Sequence, residues 1–167
     1  MDAMSFLPPR LDRTRTAELA ASMGRRPEVL TWGEGRDVVV VAMRDSLALR
    51  RDGAWETWGW QEILSGSWRA DADTFRWVCA DGRRVEAHLD SPARLPEVFR
   101  ERVQASTVMT ETHDLERGSV AIIGRRSLDG TDSITWYATA SGGADLAEPA
   151  TSRFVVRRTD ELKAEWD

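Results

Sequence analysis

Cysteine is almost missing from this 167-residue chain, which has only Cys79. One thiol cannot close an intramolecular disulfide, so a stapled secreted scaffold is excluded and a reducing, cytoplasmic setting is expected. No run approaches the roughly 18 apolar residues of a membrane-spanning helix. The opening MDAMSFLPPRLDR has no apolar core behind positive charge, so it does not read as a signal peptide. Histidine is down to His88 and His113, and no HxH, HxxxH or CxxC spacing is present, so no metal site is expected. No serine sits in a G-x-S-x-G elbow, and Gly33-x-Gly35 precedes an apolar strand instead of opening a helix. These absences predict a non-enzymatic protein without a cofactor; an orphan enzyme would need a polar cluster assembled from distant positions.

The net charge is −5, which argues against nucleic acid as a partner. Lysine occurs once, as Lys163, against 22 arginines. That bias reads as the codon composition of a GC-rich bacterial genome.

What is abundant is strand pattern. Between Arg36 and Leu89, turn signals recur at nearly even intervals and separate six strand candidates. Val38 to Met43 is continuously apolar, as in a strand buried on both faces. Leu47 and Leu49 alternate with polar neighbours, and Asp52-Gly53 is a two-residue hairpin signal leading into Ala54 to Trp60. Glu62 to Ala70 follows. Phe75, Trp77 and Cys79 then alternate with Arg76 and Val78, which gives Cys79 the reading of a buried, inert thiol. Asp81-Gly82 turns into Val85, Ala87 and Leu89. Before this meander, residues 1–11 read as a loose arm, and a short helix starts from a cap at Thr14 or Thr16 and ends at Gly24. Val29 to Trp32 begins the sheet, with Gly33 to Asp37 as a turn.

After Asp90 the period changes. Leu95, Val98, Phe99 and Val103 form the stripe of a helix packed on a sheet. Strands follow at Val108 to His113, Val120 to Ile123 and Ile134 to Ala138. The tail from Ala150 to Trp166 reads as a helix with Val155, Leu162 and Trp166 near one stripe. The organisation expected is an arm and short helix over 1–27, a meander with its closing helix over 28–105, and an added β segment and helix over 106–167 on the same domain.

Tryptophan is the one compositional excess: eight residues, five of them between 55 and 77. Most should fill a sheet core. Trp55 and Trp58, three apart, fall on opposite faces of one strand, whereas Trp58 and Trp60 share a face. At least one is therefore expected on an outer face, as part of a binding surface or under another segment of the chain. The binding residues proposed on this basis are Trp55, Trp58 and Trp68 with the neighbouring Arg50, Arg51 and Arg69.

A strand ending in Arg44-Asp45, the alternation Leu47-Ala48-Leu49, then Gly53-Ala54-Trp55, Trp60-Gln61-Glu62-Ile63, Trp68, a Phe75–Val85 hairpin and the Leu95–Val103 helix together resemble the bacterial pleckstrin-homology-like domains. The resemblance covers roughly residues 28–104 and extends to short actinobacterial proteins of this layout, from which no activity carries over. It implies an α+β fold: an antiparallel meander or partly open barrel closed by an amphipathic helix. Lipid-binding members of that group hold phosphoinositides with several basic residues around the first hairpin. Gly33 to Asp37 offers one arginine against two acids, which argues against that ligand. The function expected is a protein-interaction module, acting as an adaptor or by self-association as a homodimer. The alternative is a small-molecule or lipid-binding domain with a pocket between sheet and helix.

Overall fold

A computed structural model describes residues 10–166, so the arm expected over 1–11 lies almost wholly outside them. Its described end is not loose, because Leu11 is buried. The chain divides into two compact units, one reaching Gln104 and one starting at Ala105. Among the described residues its class is α+β, with three antiparallel sheets and three α-helices, and none of these sheets closes into a barrel.

The first unit opens with α1 (Arg13–Met23). Its cap is Asp12, whose carboxylate accepts the Arg15 N–H at 2.9 Å, in place of the expected Thr14 or Thr16. Thr16 instead turns its hydroxyl back to the Asp12 carbonyl at 2.8 Å. Gly24 ends the helix in the left-handed conformation, with φ 71°, where a side chain would be strained.

Four strands in chain order form the first sheet: β1 (Val29–Gly35), β2 (Val38–Met43), β3 (Ser46–Arg51) and β4 (Ala54–Gly59). All six residues of β2 are buried. One face of the sheet, with Val39, Val41 and Ala48, joins Leu11 and Leu19 in a core covered by α1. The other face carries Val40, Ala42, Leu47 and Leu49, all buried.

The Gly33–Asp37 turn is a correction. The strand runs through Gly35, and the turn is only Arg36-Asp37, with Asp37 at φ 59°. Those glycines serve close approach, not turning. A Cβ on Gly35 would lie 1.9 Å from the His88 carbonyl oxygen, and one on Gly33 would lie 2.9 Å from that of Ser91. Backbone hydrogen bonds between Glu34 and Ser91, 3.0 and 3.1 Å long, fasten the chain there.

A 3₁₀ turn, Trp60–Glu62, leads from β4 into the second sheet, so Trp60 is not a strand residue beside Trp58 as expected. That sheet orders β5 (Ile63–Arg69), β6 (Thr74–Cys79) and β7 (Arg84–His88), with a register shift between Ile63 and Ser65. Helix α2 (Leu95–Ser106) buries Leu95, Val98 and Phe99. The Phe99 ring meets Phe75 edge-on at 5.0 Å and Trp60 at 5.5 Å.

The second unit is a three-stranded meander, β8 (Thr107–Asp114), β9 (Ser119–Arg126) and β10 (Ile134–Ser141), followed by α3 (Pro149–Trp166). Val120 and Ile122 of β9 and Thr151 and Leu162 of α3 are buried. Trp166, expected in the buried stripe of α3, is 42% exposed.

Candidate functional site

The six proposed binding residues fall in separate places. Trp55 is half-buried against the core beneath α1, and its indole N–H donates to Glu18 at 3.3 Å. Arg50 donates to the same carboxylate oxygen at 2.9 Å. The chain's own first helix therefore covers the outer face of β4 at this point, a cover that strand alternation could not reveal.

Trp58 is buried, which corrects its expected place on a binding surface. It packs edge-on against Trp77 at 5.6 Å, with the Arg83 guanidinium 5.6 Å from its ring centre. Arg83 is itself forked onto Glu56, with one bond of 2.8 Å. Arg51 reaches the carbonyl of Glu86. Only Trp68, which is half-buried, and the exposed Arg69 remain side by side, at the end of β5.

They adjoin the most site-like feature of this unit. A half-open groove of about 460 Å³ runs between β5 and α2, lined by Leu64, Trp68, Phe75, Pro96, Phe99 and Arg100 among others. Gly66 lies directly under the Phe99 ring, while Ser65 and Ser67 alternate to the other face of the strand. Arg100 is the one charged residue in the lining; it is exposed and has no ion-pair partner among the described residues. Arg69 is tied loosely to Asp71 at 3.5 Å. The outer edge of β5 pairs with no described strand, because β5 bonds only to β6. Neither Phe99 nor Arg100 was among the residues proposed from sequence. A glycine on the inward side of an aromatic strand, in a chain with a helical Phe to fill the space, is the signal that could have found them.

On the opposite face of the same sheet, Ser65, Ser67, Arg76, Val78, Arg84 and Glu86 line a second hollow. Arg76 and Glu86 are paired there at 3.0 Å. Cys79 is buried, and burial pushes its thiol pKa up, which keeps it protonated and unreactive. His88 is exposed, with the Thr74 hydroxyl 3.1 Å from Nδ1. No group of three or more metal-ligating side chains exists among the described residues, and none of the described helices is long and apolar enough to cross a membrane.

The second unit has its own polar cluster. Arg158 of α3 forks onto Glu111 of β8 at 2.8 and 2.7 Å and also reaches Glu161 at 2.8 Å. His113 Nε2 lies 2.7 Å from Glu111, and its ring stacks edge-on over Phe154 at 4.9 Å. Hydrogen bonds from Arg158 first, then from His113, hold the Glu111 carboxyl pKa down to about 2. The network joins helix to strand, and it reads as a clamp of α3 onto β8. A carboxyl with a depressed folded-state pKa contributes stability above its ordinary value of about 4.3, and that contribution fades as pH falls toward the folded value. Glu111→Gln is therefore expected to be less stable than the native chain near neutrality. The gap should narrow as pH drops from about 5 to about 2. Thermal melting across that range checks it, and a gap constant with pH would refute the clamp.

No family model, curated protein or solved structure matches the chain.

Proposed function

We propose that this chain is a non-enzymatic adaptor of pleckstrin-homology-like architecture that captures an extended peptide segment along β5. The order of a four-stranded meander, a three-stranded meander and a closing helix supports the architectural reading. The observation that carries the functional one is the unpaired β5 edge beside an apolar groove whose lining holds one cation, Arg100. A strand edge offers main-chain hydrogen bonds to an incoming strand, and side-chain pockets beside it supply selectivity. The floor of Trp68, Phe75, Pro96 and Phe99 suits an apolar or aromatic side chain. Arg100 suits an acidic group on the same peptide. Trp and Arg are also the residue types most enriched among binding hot spots.

Selection of a displayed random-peptide library on the immobilised full chain tests this. Enriched sequences are expected to combine an aromatic or large aliphatic residue with an acidic one. Titration of an enriched peptide should show Trp68→Ala and Arg100→Glu each weakening binding about tenfold or more, equivalent to at least ~1.4 kcal/mol. Arg84→Glu, on the opposite sheet face, should leave it unchanged. Binding insensitive to both groove variants, or no enrichment at all, would reject the reading.

One observation favours a second reading. The groove volume of about 460 Å³ falls in the range of small-molecule sites. An apolar compound retained by the purified protein, seen by native mass spectrometry, would assign the groove to a small molecule or lipid. Its half-open shape ranks this second.

A further inference from the structure

Sheet edges invite pairing with other chains, and soluble proteins blunt them with charges, bulges, prolines or covering segments. Almost every edge strand here carries such a device. Strand β1 is fastened by Ser91, β4 contains Glu56, and β7 carries Arg84, Glu86 and His88; β5, the edge left open in the first unit, is still shifted in register between Ile63 and Ser65. In the second unit, β8 has a register shift between Thr107 and Met109 and bears Glu111, His113 and Asp114.

Strand β10 is the exception. Its sequence, Ile134-Thr-Trp-Tyr-Ala-Thr-Ala-Ser141, has no charge, glycine or proline, and it pairs with β9 over all eight residues without a shift. The β-branched and aromatic residues give it high strand propensity. The Ser127 N–H bond to the Ser133 carbonyl, 2.8 Å, sets the phase of the β9–β10 ladder. With that phase, Ile134, Trp136, Ala138 and Ala140 turn their backbone N–H and C=O groups to the open side. Strand β10 is a sheet edge, and no described strand lies beyond it.

We infer that β10 is a self-association edge, whose partner is the β10 of a second copy of this chain. Antiparallel pairing about a two-fold axis at Tyr137 sets Trp136 opposite Ala138 of the second copy and Ile134 opposite Ala140. Those four positions supply the outward hydrogen-bonding groups, so both strands are satisfied in one register. The absence of charge removes the like-charge repulsion that self-pairing of β4, β7 or β8 would create. The result is a continuous six-stranded sheet with β8 at each end. The shift and charges of β8 stop further growth, so the assembly is a closed dimer and not a fibre. This surface is independent of the β5 groove.

In the same register Thr135 faces Thr139 of the second copy, which gives a charge-pattern test on the full chain. By sedimentation equilibrium the native protein is expected at twice the 18.8 kDa chain mass. Thr135→Glu with Thr139→Glu places like charges opposite each other at both ends and should give monomer with unchanged circular dichroism. Thr135→Glu with Thr139→Lys places opposite charges there and should restore the dimer. Ala138→Pro, which removes one outward N–H without touching the β9 ladder, should also give a folded monomer. A monomeric native chain, a dimer that survives the double glutamate, or an opposite-charge variant that stays monomeric would each overturn the inference.

Discussion

Replacing Trp60 with alanine is expected to cost the first unit about 3–5 kcal/mol, the range for truncating a buried aromatic. Domains of this size have total stabilities of only about 5–15 kcal/mol. Trp60 is fully buried, and its indole N–H donates to the Met43 carbonyl at 2.9 Å. Its ring also meets Phe99 at 5.5 Å, almost perpendicular at 84°. It therefore ties the end of β2 to the closing helix from a turn between the two sheets. Trp60→Phe keeps much of the ring contact but loses the donor, and it should cost about 1–3 kcal/mol. Native-state hydrogen exchange at the amides of Val39 to Met43 reads the first unit without contributions from the second. A loss below about 1 kcal/mol for the alanine variant would show that this corner relaxes around the gap.

Gly66→Val should be the second severe change, and its sign is the informative part. Glycine inside a strand normally weakens it, and valine there would ordinarily stabilise by its strand propensity. Here a Cβ would sit 2.4 Å from two carbons of the Phe99 ring and 3.1 Å from the Arg76 carbonyl oxygen. The ring cannot swing aside, because it is packed edge-on between Phe75 and Trp60. Overpacking of this kind costs about 1–3 kcal/mol, which outweighs the propensity gain. Phe99→Leu in the same chain removes the obstructing ring. The double variant is then expected to lose less than the two single losses added together, a coupling that a double-mutant cycle measures directly. Strict additivity would mean that Gly66 is not there to admit Phe99.

The strand rhythm from Arg36 to Leu89 was legible because its causes are local. Asp52 and Gly53 both take positive φ, 53° and 78°, as a two-residue hairpin turn requires, and each alternating apolar row faces one side. The helices over Leu95–Ser106 and Pro149–Trp166 were legible from their stripe and composition. What a face meets is not local. Trp55 alternates as an outer residue, yet α1 from the start of the chain lies over it, and Glu18 takes both its N–H and Arg50. Gly33 and Gly35 look like turn residues until Ser91 and His88 are placed against them. The groove was visible only as a sheet beside an amphipathic helix. Its edge cation, Arg100, stands in sequence among Arg94, Arg102 and two glutamates of the same helix region, with nothing to set it apart.

Each sheet is strung from consecutive strands, so strand order follows chain order. That arrangement governs timing during synthesis. Hairpins close in roughly 1–10 μs, whereas chains lengthen at about 5–20 residues per second. Strands β1 to β4 can therefore zip together before β5 has been made. The Glu34–Ser91 bridge is different, because it spans the whole meander and must wait for β7 to be complete. Among the described residues β10 is the last strand, and α3 follows it. The inner edge of β10 finds β9 already made, so β10 can pair within its own sheet as soon as it emerges.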